Sequence, residues 1–149
     1  MNRIDHVGLT VQDLDRSIRF YCLVLDCVVL ERGVITGAEV EVLTGVPDAV
    51  IHTADLQLPD GGMLELLQYL GPARTLLVQR RYEAGHSHIA FGVPDVDAAR
   101  TRALAAGVAD CSPPVTLNEP GSSWDQVRVC YATDPDGRTI EFVERPALR

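Results

Sequence analysis

The chain has no basic cluster beyond Arg80-Arg81, and its formal net charge is -8 over 149 residues. That argues against nucleic acid or an anionic membrane as the main partner, while leaving an anionic small molecule, which responds to the local field. No run approaches the roughly 18 apolar residues of a membrane span. No basic-then-apolar leader precedes the first strand pattern, so a soluble cytoplasmic protein is expected. None of the four cysteines, Cys22, Cys27, Cys111 and Cys130, forms C-x-x-C. With nothing pointing to an oxidising compartment, buried thiols are expected ahead of disulfides, metal ligands or nucleophiles.

What the chain does contain, it contains twice. Pro59-Asp60-Gly61-Gly62-Met63-Leu64-Glu65 and Pro135-Asp136-Gly137-Arg138-Thr139-Ile140-Glu141 share the pattern P-D-G-x-x-(L/I)-E, 76 positions apart. His6-Val7-Gly8-Leu9-Thr10-Val11-Gln12-Asp13-Leu14-Asp15 is echoed by His88-Ile89-Ala90-Phe91-Gly92-Val93-Pro94-Asp95-Val96-Asp97, at an offset of 82. Each half reads as histidine, alternating strand, D-x-D, helix, variable middle, turn and glutamate-bearing strand, which is an internal duplication. An apolar fraction of 46% and a charged fraction of 23% are ordinary for one domain, or for two small halves sharing a core.

Periodicity assigns the elements. Ile4–Val11 reads as a strand with His6, Gly8 and Thr10 on one face and Val7, Leu9 and Val11 on the other. Asp13 or Asp15 caps a helix whose Ile18, Tyr21, Cys22 and Leu25 recur at helical spacing, with Leu14 leading in. Val28–Arg32 is a short strand, Ala38–Leu43 a possible strand, Thr44–Ala49 a loop, and Val50–Leu58 extended. Asp60-Gly61 is a hairpin turn before the strand Met63–Tyr69. In the second half a strand at His86–Val93 precedes a helix capped by Asp95 or Asp97 and ending near Ala106, with Gly107 at C′. A polar loop from Pro113 to Ser123 leads to Trp124, a packed aromatic or pocket wall. Strands at Gln126–Thr133 and Thr139–Glu144 flank the turn Asp134–Gly137. The expected architecture is α+β, with a βαβββ module at 1–74, a connector at 75–85 holding a short helix or irregular chain over Thr75–Tyr82, and a second module at 86–149. Helices are expected to cover one face of each sheet, leaving the opposite faces to meet across a cleft.

His6 and His88, taken singly, fit satisfied core positions, and Glu65 and Glu141 fit surface ones. Their joint recurrence suggests convergence, since a carboxylate on an otherwise apolar strand face is unusual. Two histidines and two glutamates form a mixed N/O set suited to a divalent first-row metal: Zn, Ni, Co, Mn or Fe(II).

The stretches "HVGLTVQDLDRSIRFY", "GGMLELLQY", "GHSHIAFGVPDVDAA" and "DPDGRTIEFVE" resemble the vicinal oxygen chelate superfamily, also called the glyoxalase/bleomycin-resistance/dioxygenase fold. The resemblance implies two βαβββ modules with pseudo-twofold symmetry, forming a cupped mixed sheet around a divalent metal. It puts the ligands at His6, Glu65, His88 and Glu141, and it implies a homodimer. "HIAF" mirrors "HVGL" and so selects His88 over His86, which sits on the same face. Four protein ligands leave two cis positions for a substrate with adjacent oxygens or an acyl thioester. The implied activity is an isomerase, epimerase or lyase that removes a proton alpha to a carbonyl through a metal-stabilised enolate or enediolate. Glu141 is the expected base and Glu65 the second choice, with Glu39, Glu41 or Asp55 as a weaker source of a second base. Glyoxalase I and methylmalonyl-CoA epimerase are both resembled. The carboxylate at Glu65 suits the former, whereas the scarcity of cations other than Arg74, Arg80, Arg81 and Arg128, each expected at the surface, speaks against a glutathione site. A metal-free binding or resistance protein and an extradiol-type dioxygenase are the alternatives.

Overall fold

A computed structural model of the chain describes residues 1–71, 75–76 and 80–146. It comprises two compact units, Met1–Leu76 and Leu77–Arg149. The connector's expected helix and Arg74 fall partly or wholly outside the described residues.

The first unit runs β1 (Val7–Thr10), α1 (Leu14–Leu25), β2 (Val28–Thr36), α2 (Ala38–Thr44), β3 (Val50–Gln57) and β4 (Met63–Tyr69). The second runs β5 (Ile89–Gly92), α3 (Val96–Ala105), β6 (Val115–Thr116), β7 (Arg128–Thr133) and β8 (Thr139–Glu144). Each unit contains a four-stranded mixed sheet, ordered β1-β4-β3-β2 in one and β5-β8-β7-β6 in the other. The first strand of each unit runs parallel to the glutamate-bearing strand, and the remaining pairs are antiparallel. The duplication in the sequence is thus a duplication of topology in an α+β fold.

Burial follows the expected faces of β1 and β4: Leu9 and Val11 are buried, as are Leu64 and Leu66, while Gly8 and Thr10 are exposed. In α1 the buried face is turned, with Phe20 and Val24 buried and the expected Ile18 and Cys22 only half-buried. Helix α1 packs on β3 and β4 through Leu14, Phe20, Tyr21, Val24 and Leu25. Asp13 caps it, accepting from the Arg16 N–H, and Asp95 caps α3, accepting from the Asp97 and Ala98 N–H groups. A second cap comes from the sheets. Gln68 Oε1 accepts from the Leu14 N–H at 2.7 Å, and Glu144 Oε2 accepts from the Val96 N–H at 2.9 Å. These residues hold matching places on β4 and β8, so each helix is pinned at its first turn to its own glutamate-bearing strand.

Other expectations change, and β7 begins at Arg128, two residues after the expected Gln126. Ala38–Leu43 is not a strand but most of α2, bounded by Gly37 at φ +111° and Gly45 at φ +68°. Its Glu-Val-Glu-Val alternation is too short to separate a period of 2 from 3.6. Strand β2 extends four residues beyond Arg32, and a register shift between Val29 and Glu31 breaks the alternation that would have marked its length. Strands β1 and β5 are shorter than expected, so His6 and His88 stand one residue ahead of them. The loop from Pro113 also carries the two-residue strand β6.

The four cysteines are free. Burial pushes the Cys27 thiol up to about 12, and burial raises Cys111 too. Both stay protonated near neutrality, which fits packing and not nucleophilic chemistry.

Candidate metal centre

In the first unit, parallel pairing sets Gly8 of β1 beside Glu65 of β4, and antiparallel pairing sets Asp55 of β3 on the other side of Glu65. Directly paired residues share a face, so these three lie in one row across the sheet. His6, two residues before Gly8, directs Nε2 to within 3.4 Å of Glu65 Oε2. Its Nδ1 lies 3.1 Å from Asp5 Oδ2, a contact that favours Nδ1–H and leaves Nε2 with a lone pair for a ligand. The hydrogen bond to Asp5 raises the His6 imidazole above its ordinary value; burial opposes this, and the charges of Glu65, Asp5 and Asp55 add to it. A Cβ at Gly8 would stop 3.7 Å from Glu65 Oε2, so glycine keeps that flank of the carboxylate open.

The second unit repeats the construction. Ala90 pairs with Glu141 on one side and Tyr131 pairs with it on the other. His88, two residues before Ala90, brings Nε2 to 3.2 Å from Glu141 Oε2. Glu141 is only 7% exposed, whereas Glu65 is half-buried. The Tyr131 ring meets the His88 ring edge-on, with centroids 5.5 Å apart, and the Arg81 guanidinium lies 5.6 Å from the Tyr131 centroid. Burial raises the Tyr131 hydroxyl, the Glu141 charge raises it further, and Arg81 opposes both. Tyr131 therefore remains a proton donor beside the glutamate.

Sequence reasoning passed over Tyr131, although a signal existed. Asp55 precedes Glu65 by 10 residues and Tyr131 precedes Glu141 by 10, because both hairpins have the same length. Asp55 and Tyr131 are therefore equivalent neighbours of the two glutamates. Glu39 and Glu41 lie instead in the first turn of α2, and Glu41 Oε1 accepts from the Asp48 N–H. The His86 Nε2 is buried and has no hydrogen-bond partner among the described residues. Arg128 is held by Asp97 and Glu144 at 2.6 and 3.0 Å, Arg81 by Asp110 at 2.6 Å, and Arg80 donates to the Tyr82 hydroxyl at 2.7 Å.

The donors fit a divalent cation pairwise. Two cis ligands about 2.1 Å from one cation lie about 3.0 Å apart in an octahedron and about 3.4 Å apart in a tetrahedron. Separations of 3.4 and 3.2 Å make each histidine–glutamate pair suitable as one edge of such a polyhedron. Among the described residues, no group of three or more His, Cys, Asp or Glu side chains is placed to hold a metal.

Residues 3–142 match the Glyoxalase/Bleomycin resistance protein/Dioxygenase superfamily. The chain is 30% identical over 149 residues to a 2-epi-5-epi-valiolone epimerase of an Actinomyces species, covering 97% of this chain and 80% of that protein. It is also 30% identical over 146 residues to a probable lactoylglutathione lyase of Vibrio cholerae, covering 96% and 91%. A crystal structure of a glyoxalase family protein from Bacillus cereus aligns with a TM-score of 0.79 at 23% identity, over 97% of this chain and 94% of that one. With the repeated topology and the paired His–Glu contacts, these matches make the chain a member of the Glyoxalase/Bleomycin resistance protein/Dioxygenase superfamily.

Proposed function

We propose that His6, Glu65, His88 and Glu141 are ligands of a divalent first-row cation, and that the chain is an isomerase, epimerase or lyase acting on a proton alpha to a carbonyl. The observation carrying this reading is the twin His–Glu contact, built at the same ladder position in two units. Similarity to an epimerase and to a probable lyase, at the same identity, supports the reaction class without choosing between them. When bound, the cation supplies Lewis acidity that stabilises negative charge on the substrate's carbonyl oxygen.

The remaining chemistry belongs to the chain. The Glu141 carboxylate takes the alpha proton as the C–H electron pair moves toward the carbonyl. A carboxylate that takes the proton in one step can return it to carbon in the next. Tyr131, protonated and the ladder neighbour of Glu141, is the group proposed to return a proton. Glu65 is more exposed and serves as the second carboxylate.

The test is exchange of the substrate alpha proton with solvent deuterium, followed by NMR on hemithioacetals of 2-oxo aldehydes and on acyl-CoA epimers. Metal-dependent exchange is expected with at least one class. Metal-independent binding without exchange, or oxygen consumption in its place, would contradict the reading.

We also infer a homodimer. Strand β2 is exposed along all nine residues and presents Val28, Val29, Leu30, Val34 and Ile35, while α2 adds Val42 and Leu43 at 87% and 82% exposure. An uncovered apolar edge of this kind is a liability in a monomer. Sedimentation equilibrium should give twice the 16.2 kDa chain mass, and Leu30→Arg with Val34→Arg should return the monomer. A wild-type monomer would refute the inference.

A further inference from the structure

A cavity of about 390 Å³ in the second unit is lined by Ala90, Gly92, Val93, Trp124, Val143 and Arg145. Its volume suits a small ligand. Ala90 is the ladder partner of Glu141 and Gly92 is the partner of Val143, so the cavity floor continues the sheet face that carries Glu141. A Cβ built at Gly92 meets nothing within 4 Å, which leaves the floor open at its centre.

One wall is Trp124 with Arg145. The guanidinium carbon sits 4.7 Å from the indole centroid, and Nη1 donates to the Ser123 carbonyl at 3.0 Å. Trp124 belongs to a loop tied at its base by hydrogen bonds from Leu117 N–H to the Val127 carbonyl and from Gln126 N–H to the Leu117 carbonyl. The indole face and the Ser123 carbonyl hold the guanidinium at two points. Its other donors have no partner among the described residues, and no carboxylate pairs with it there. A planar cation held in place at the edge of an apolar cavity matches a carboxylate better than a neutral polar group. An otherwise acidic chain has no lysine to substitute for it.

We propose that Trp124 and Arg145 form a carboxylate-binding subsite beside Glu141, so that the substrate is a small acid with an apolar body. The assignment rests on the proposed reaction only in taking the reacting carbon to lie at Glu141. Two residues along β8 separate Glu141 from Val143, roughly 7 Å. That span accommodates a six-membered ring or a short branched chain between the reacting carbon and the carboxylate. The apolar body lies over Ala90, Gly92 and Val143, against the face of Trp124.

Trp124 is the chain's one tryptophan, so its fluorescence reports the cavity directly. The probes are cyclohexanecarboxylate and its uncharged isostere cyclohexanecarboxamide, titrated into purified protein with and without chelator. Wild type is expected to respond saturably and to bind the acid about tenfold more tightly than the amide, as for a charge-assisted contact. Arg145→Gln should bring the two within about twofold, and Gly92→Val should abolish both responses by filling the floor while leaving Arg145 in place. Circular dichroism of each variant guards against misfolding. Equal binding of acid and amide to wild type, preference retained in Arg145→Gln, or no saturable response at millimolar concentrations would overturn the proposal. The readout needs neither metal nor turnover, so failure of deuterium exchange and failure of the subsite are separate results.

Discussion

Glu141→Gln should slow solvent exchange of the substrate alpha proton by about 10²- to 10⁴-fold, the usual contribution of a positioned general base. The amide preserves the size of the side chain and an oxygen able to face His88, but it cannot accept the proton. Glu141 is chosen over Glu65 because it is buried and lies 3.2 Å from His88, with Tyr131 beside it on the ladder. Glu65 is half-buried, 3.4 Å from His6, and has Asp55 as its neighbour. Glu65→Gln, compared at equal metal loading, is therefore expected to lose less. The rates are to be measured by NMR in deuterium oxide, with metal content determined on the same samples. A Glu141→Gln protein exchanging at the wild-type rate would remove Glu141 as the base.

Asp134→Ala should destabilise the fold by about 1–3 kcal/mol, the range for leaving buried donors without their acceptor. The Asp134 side chain is only 1% exposed; its Oδ2 meets Arg138 Nη1 at 2.7 Å, while Oδ1 accepts from the Asp136 and Arg138 N–H groups at 2.9 and 2.8 Å. Truncation removes the acceptor of two backbone N–H groups and one guanidinium contact in the turn that sets β7 against β8. That turn fixes the Tyr131–Glu141 register. The first unit closes its equivalent turn differently, with Asp60 Oδ1 accepting from the Gly62 N–H and Leu58 standing where the second has Asp134. Urea unfolding checks the prediction, because a domain of ordinary stability has only about 5–15 kcal/mol in total. A loss below about 1 kcal/mol would show that solvent replaces the carboxylate.

Much of this was legible because the sequence repeats itself. The matching P-D-G turns and His-strand-D-x-D openings define two units of the same topology, and a period of 2 sorts Leu64 and Leu66 from Glu65. The Asp13 and Asp95 caps follow from local hydrogen-bonding chemistry. Features without a local signal were lost. The alternation of Ala38–Leu43 fits strand and helix alike over so few residues, and the shift at Val29/Glu31 hides the length of β2. Pairing His6 with Glu65 and His88 with Glu141 was suggested by recurrence, but the contacts depend on ladder register. The Trp124–Arg145 stack joins a loop to the residue after β8, 21 positions apart, with no periodicity to connect them.

The central claim is that the two His–Glu pairs are metal ligands. Elemental analysis after reconstitution with Zn, Ni, Co, Mn or Fe(II) tests it most directly, on wild type, His6→Ala and His88→Ala. The account predicts near-stoichiometric bound metal in wild type and a sharp fall in both variants, since each removes one of the proposed ligands. No retained metal in wild type, or full occupancy after loss of either histidine, would contradict it.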